Sequence, residues 1–200
     1  MMGMRYGRSF LIGGGVVLLL GAVAFVSTSR AGYETADYSV KESDGDFELR
    51  EYGELAVVST PMTDEARNGA FGRLFEFISG KNSAEEKIAM TTPVFMPAGE
   101  NGEPEVMQFV LPAEVAKREI PDPKNEKVKI EQMKAGTYAV VRYSGLSKKG
   151  DREKHLKKLL SEIEERGLEQ KGDPIFAGYD PPWTPGPMRR NEVLIPVGEK

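Results

Sequence analysis

The sequence predicts an α+β fold of eight strands and two helices, arranged as two related halves behind an N-terminal apolar helix. Three observations carry this reading. Gly53-Glu54-Leu55-Ala56-Val57-Val58 matches Gly136-Thr137-Tyr138-Ala139-Val140-Val141 at a spacing of 83, and Phe109-Val110-Leu111-Pro112 matches Val193-Leu194-Ile195-Pro196 at a spacing of 84. Both matches sit in the same order of signals: strand, strand, helix, strand, strand. Two such units are too few for a solenoid, so they are expected to close on each other about a pseudo-two-fold axis.

The first 31 residues are a different material. Arg5 and Arg8 precede an uncharged run from Ser9 to Ser29, whose apolar centre is Phe10 to Val26, and Arg30 follows. A positive start before an apolar run marks a segment that sends the rest of the chain across a membrane. Two outcomes stay open. Ser29-Arg30-Ala31 loosely resembles a small-x-small cleavage site, which would release a secreted or periplasmic domain. Alternatively, Phe10 to Val26 spans roughly 25 Å as a helix, barely enough for a bilayer core. Gly13, Gly14 and Gly15 lower helix propensity without excluding an anchor. Arg30 is poorly placed for cleavage, which favours an uncleaved signal anchor in the inner membrane. Residues 32–200 form the domain, outside the cytoplasm in either case.

Within that domain, Phe47 to Tyr52 alternates as a half-buried strand does. Gly53-Glu54 turns the chain into the strand Leu55 to Thr60. Asp64 to Ser79 is helical, with Thr63 as N-cap and Gly80 as the stop. Ile88 to Met96 is extended, Asn101-Gly102 marks a hairpin turn, and Val106 to Leu111 is a strand. Pro112 to Lys127, with Pro121, Asp122 and Pro123, connects the halves. The order then repeats: strand Val128 to Met133, a turn at Ala135-Gly136, strand Thr137 to Tyr143, helix Asp151 to Arg166, and strands Ile175 to Tyr179 and Glu192 to Val197. Leu156, Leu159, Leu160 and Ile163 share one face of the second helix, and Gly167 stops it.

Composition narrows the function. The chain has 200 residues, 40% hydrophobic and 29% charged, which suits one globular domain. It has no cysteine, which excludes disulfides, thiolate ligation, cysteine catalysis and lipobox lipidation. A formal net charge of −4 with no basic block argues against a nucleic-acid binder. The single histidine, His155, sits beside Lys154, Lys157 and Lys158 and reads as a solvated surface residue. No two-histidine metal motif is possible. No nucleophile elbow or phosphate loop is present, and the adjacent pairs Glu85-Glu86 and Glu164-Glu165 do not face each other on an element. An enzyme is therefore disfavoured.

Two features point to a ligand. At about 100° per residue, Ala66, Phe77, Ala70 and Leu74 occupy one arc of the first helix about 80° wide, and Ile78, Phe71 and Phe75 extend it to nearly 180°. The excess edge, led by Phe71 and Phe75, either packs on a neighbour or lines a groove; extra core packing is the more frequent case. Arg67 lies in the same arc, as a snorkelling side chain or as a counter-charge for an acidic ligand. The second feature is the loop from Tyr179 to Met188. Pro181, Pro182, Pro185 and Pro187 stiffen it, and Tyr179, Trp183 and Met188 supply large polarisable groups suited to a flat apolar ligand. On loop statistics alone, a structural cover over the end of a sheet is favoured by about two to one.

Phe47-Glu48-Leu49-Arg50-Glu51-Tyr52, Ile88-Ala89-Met90-Thr91-Thr92-Pro93-Val94, and Gly178-Tyr179-Asp180-Pro181-Pro182 followed by Arg190-Asn191-Glu192-Val193 resemble the SOUL haem-binding protein family. The resemblance covers about residues 33–198, and the last motif is its most specific part. It implies a distorted eight-stranded antiparallel barrel flanked by two helices, and non-catalytic binding of haem or another tetrapyrrole. The porphyrin would lie in a shallow apolar groove beside the first helix, near the loop before the last strand. Carried over, that groove falls on Arg67, Asn68, Phe71 and Phe75, and on Tyr179, Trp183 and Met188. Some animal members carry a proposed axial histidine where this chain has Glu51, so imidazole ligation is not expected, and weak ligation by Tyr179 or water takes its place. Animal members also carry basic residues where this chain has Asn68 and Glu76, leaving Arg67 or Arg73 to meet the propionates. The other expectation is a module for a different flat hydrophobic molecule, including a cationic one, because the barrel also resembles effector domains of multidrug regulators.

Overall fold

The computed structural model describes residues 32–62 and 67–199. The apolar run from Ser9 to Ser29 and the predicted N-cap Thr63 lie outside them. Among the described residues, no helix is long and apolar enough to cross a membrane.

A short strand β1 (Glu34–Thr35) leads to the hairpin β2 (Tyr38–Asp44) and β3 (Phe47–Tyr52), then β4 (Leu55–Pro61) and helix α1 (Arg67–Ile78). β5 (Thr91–Thr92), β6 (Val94–Pro97) and β7 (Val106–Val110) follow, and the connector holds the single turn α2 (Ala113–Ala116). The second half comprises β8 (Lys129–Met133), β9 (Gly136–Tyr143), α3 (Lys149–Glu165), β10 (Leu168–Gln170), β11 (Ile175–Gly178) and β12 (Asn191–Glu199). Gly80 (φ 110°) and Gly167 (φ 67°) follow α1 and α3 in the left-handed conformation that glycine adopts at helix stops. The extended segment expected from Ile88 to Met96 divides into β5 and β6 at Pro93, which has no N–H to give a ladder.

The main sheet runs β2-β3-β9-β12-β11-β6-β7-β4-β8, with β10 added to β12. Without β2 and β10, this order reads the same from either end when the halves are exchanged. The registers agree: Phe47 pairs with Val141, and at their counterparts 83 residues away Ile130 pairs with Val58. At the centre, Val94 faces Gly178, its counterpart 84 residues on.

Three expectations are corrected. Among the described residues there are twelve strands, not eight, since the short β1 and β10 and the edge strand β2 add to those expected and Ile88 to Met96 divides in two; there are three helices, not two; and the sheet is open, not a closed barrel: no ladder joins β2 to β8. Both edges resist pairing. β2 is bulged between Val40 and Glu42 and exposes Lys41, Glu42 and Asp44, while β8 exposes Lys129 and Glu131. Bulges and outward charges are the ordinary means of keeping a sheet edge unpaired.

Strand alternation divides the interior into layers. On one face, Val58 and Phe109 pack under Ala70, Leu74, Phe77 and Ile78 of α1. On the same face, Val141, Val193 and Ile195 pack under Leu159 and Ile163 of α3. The other face carries Val57, Phe95, Val140 and Leu194, and among the described residues its cluster includes Tyr38, Tyr52, Tyr138 and Tyr179 and no helix residue.

Candidate functional site

The wide arc of α1 resolves into two parts. Ala70, Leu74, Phe77 and Ile78 are buried, whereas Phe71 is 40% and Phe75 50% exposed. The two rings stack with centroids 6.0 Å apart and planes 14° apart, and Phe71 also meets the buried Phe109 edge-on at 5.1 Å. Together they form one wall of a groove of about 310 Å³, within the range of small-molecule sites. Met90 and Thr92 line its side, and Val94 and Gly178 form its floor across the pseudo-axis. Pro181, Pro182 and Trp183 make the opposite wall. Trp183, the one tryptophan of the chain, is 80% exposed.

Gly178 keeps the floor open. Phe176, two residues earlier on β11, packs in the α3 layer, so alternation turns position 178 to the helix face as well. A Cβ there would meet nothing within 4 Å. The loop wall is held in shape by its own bonds. The Arg189 guanidinium donates to Thr184 O at 2.7 Å and to Pro182 O, and Thr184 N–H donates to Pro181 O at 3.0 Å. At the far end, Tyr33 completes the groove. The adjoining β1 runs parallel to β5, and Ala36 N–H donates to Thr92 O at 2.9 Å, which fixes the chain beside Tyr33.

Phe71, Phe75, Tyr179 and Trp183 are brought together, but Tyr179 differs from expectation. It sits one residue past Gly178, so its side chain turns away from the helices into the other layer and is 2% exposed. Its hydroxyl donates to Glu192 at 2.8 Å. Burial and the neighbouring Glu192 carboxylate push that phenol well above its ordinary range, so the oxygen is neither free nor ionised for a metal. Met188 is not part of the groove; it lies in a separate depression with Arg142, Tyr143 and Arg190. Arg73 is tied to the end of β4, donating to Thr60 Oγ1 at 2.8 Å and to Pro61 O at 2.6 Å, and it lines another depression with Glu76. Arg67 and Asn68 occupy the first turn of α1, and their side chains lie outside those described.

His155 is not a plain solvated residue. Its ring stacks on Tyr143 with centroids 4.0 Å apart, and Nδ1 is 2.7 Å from Asp151 O. It belongs to α3, away from the groove lining. Glu51 pairs with Lys41 at 2.9 Å. Among the described residues, no group of three histidine, cysteine or acidic side chains is placed to hold a metal.

Behind the groove lies an ionic layer that sequence reasoning missed. Arg50 and Glu192 are both fully buried, and Arg50 donates to Glu192 at 2.7 and 2.9 Å and to Glu48 at 2.7 Å. Arg190 donates to Glu192 at 2.6 Å and stacks over the Tyr179 ring at 4.1 Å. Burial alone would raise the Glu192 carboxyl, but Arg50 and Arg190 hold it down, at about 2.

Tyr33, Met90, Thr92, Val94 and Gly178 were also missed. Strand alternation around Phe176 was a usable signal for Gly178; Tyr33 had none, because it precedes the first regular element.

Heme-binding protein 1 of Xenopus tropicalis is 32% identical over 76% of this chain and 84% of the relative. Heme-binding protein 1 of Mus musculus is 28% identical over 84% and 87%. Among solved structures, the EcmrR C-terminal domain superposes with a TM-score of 0.57 at 16% identity, covering 77% of this chain and 98% of that one. A hydrolase from Listeria innocua superposes with a TM-score of 0.53 at 11% identity, covering 79% and 94%. These two likenesses concern the fold alone. The model of the SOUL heme-binding protein family matches residues 33–196, and the chain belongs to that family.

Proposed function

We propose that this chain is a non-catalytic tetrapyrrole-binding protein that takes haem in the groove between α1 and the proline-rich loop, with its domain displayed outside the cytoplasmic membrane. The observation that carries the binding is the exposure of Phe71, Phe75 and Trp183 around a glycine floor. Large apolar side chains left uncovered on two rigid walls suit the flat faces of a porphyrin. The relatives' name, Heme-binding protein 1, supports the same ligand.

The residues fit a porphyrin face better than they fit an iron ligand. The groove lining holds neither histidine nor cysteine, the Tyr179 hydroxyl is committed to Glu192, the Asp180 carboxylate accepts from the Arg190 N–H at 2.6 Å, Met90 offers only a thioether, and Tyr33 offers a phenol at the groove's end. Haem supplies its own iron chemistry when bound; this chain supplies the apolar walls, and Trp183 and Phe75 shield the ring from water. Membrane placement is supported by Arg5 and Arg8 ahead of the uncharged run from Ser9 to Ser29.

The reading of a flat cation in the interior is disfavoured, because the buried Glu192 already serves two arginines. Titration with hemin and with an apolar cationic dye tests the ligand. A Soret shift saturating at one hemin per chain is expected; dye binding without hemin binding rejects the haem reading. A C-terminal reporter tests the topology and should be active only outside the inner membrane, with the chain retained in carbonate-washed membranes.

A further inference from the structure

Tyr33 lies in the groove wall, and the uncharged run ends at Ser29. Three residues, Arg30, Ala31 and Gly32, separate them, so the chain spans at most about 14 Å between the run and the groove. Nothing longer is available to hold the domain away. The described chain begins at Gly32, beside Tyr33 in the groove wall and next to the parallel pairing of β1 with β5, so its join to the uncharged run falls at the groove. The side chains around the groove are the ones a bilayer interface takes. Trp183 is 80% exposed, beside Pro182 and opposite Phe75. Tryptophan is enriched at the headgroup level, where its ring meets acyl chain and water together.

Resting on the anchored reading above, we propose that the groove mouth docks on the lipid bilayer, with Trp183 and Phe75 seated at the interface. A planar amphipathic ligand dissolved in the lipid then passes between membrane and groove without crossing bulk water. The docking surface is the rim formed by α1 and the proline-rich loop. The open mouth between β3 and β4, with Glu51 and Glu54 on its border, is not part of it.

Because the chain has one tryptophan, its fluorescence reports on Trp183 alone. The full-length chain is reconstituted into phosphatidylcholine vesicles containing lipids nitroxide-labelled near the headgroup. Trp183 emission is expected to be strongly quenched by the labelled lipid and shielded from aqueous iodide. Inserting about 12 Gly/Ser residues after Ala31, roughly 20 Å of added reach, should lower the lipid quenching while hemin affinity in detergent stays unchanged.

Four results overturn the proposal. A chain that incorporates and binds hemin but shows iodide-accessible, lipid-insensitive Trp183 rejects docking and leaves the binding reading intact. Shielding from both quenchers assigns the rim to the chain's own apolar run. Shielding that varies with protein density assigns it to a second copy. A chain that fails to incorporate removes anchor and docking together, while hemin titration still judges the groove on its own.

Discussion

Arg50 on β3 and Glu192 on β12 meet as a two-pronged ion pair at 2.7 and 2.9 Å across the width of β9, with neither side chain reaching solvent. Such a pair stabilises the fold only while both members are present, since either one left alone is a buried, uncompensated charge. Glu192→Gln removes the carboxylate shared by Arg50 and Arg190 and leaves Arg50 with Glu48 as its remaining carboxylate, and is expected to cost about 3–5 kcal/mol of stability in urea unfolding. Replacing both residues, as Arg50→Met with Glu192→Leu, should cost clearly less than the sum of the single changes, by more than about 1 kcal/mol. Additive losses would show that the pair does not act as a unit.

The same carboxyl sets an acid limit. Its pKa is lowered from 4.5 to about 2 in the fold, so its contribution is fully present above pH 4.5 and is lost as pH falls towards 2. Urea midpoints should therefore be flat near neutrality and drop through that acid window, by on the order of 3 kcal/mol in total for this group. Glu192→Gln should flatten that part of the profile. An unchanged slope in the variant would assign the acid sensitivity to other carboxyls.

Groove variants should change affinity more than stability. Phe75 is half exposed, so Phe75→Ala should cost less than about 1 kcal/mol of stability, while weakening hemin about tenfold through lost apolar contact. Phe71→Ala should weaken hemin similarly but cost about 1–2 kcal/mol of stability, because that ring also packs on Phe109. Gly178→Leu fills the floor without meeting a neighbour at Cβ, and should abolish most hemin binding in a fold at least as stable. A stability loss with unchanged affinity per folded molecule would remove the groove from the reading.

His155→Ala should leave the Soret spectrum of bound hemin unchanged, since the ring is not in the groove lining. It should still lower stability by about 0.5–1.5 kcal/mol, the worth of a ring contact such as the stack on Tyr143. A spectral change on this substitution would place the haem near α3 instead.

What the sequence made legible was periodic. The 83- and 84-residue matches anticipate two related halves, and the equivalent registers of those halves follow because matched apolar alternation buries matched faces. The excess arc of α1 marked Phe71 and Phe75 without saying which side of the core they fall on; only the packing of Leu74 and Phe77 decides that. β2 was missed because Lys41-Glu42-Ser43-Asp44 is an exposed edge with no apolar alternation. The ionic layer was invisible for a related reason: Arg50 and Glu192 are 142 residues apart, and a charged residue in a strand reads as solvent-facing until its partner is known. Tyr179 was read as a ligand-facing aromatic, but it stands one step out of phase with Gly178.

That one-step phase has a consequence for how the site can evolve. Gly178 and Tyr179 are neighbours in the chain, yet one floors the groove and the other braces the ionic layer. Point substitutions at 71, 75, 94, 178 and 183 therefore explore new ligand shapes while the stabilising ions stay in place. A single-residue deletion in β11 does the opposite: it shifts the following residues to the other face, setting the Tyr179 phenol in the groove and bringing the Asp180 carboxylate to the place the phenol held beside Glu192. Ligand preference on this scaffold is open to drift by substitution and closed to change by slippage.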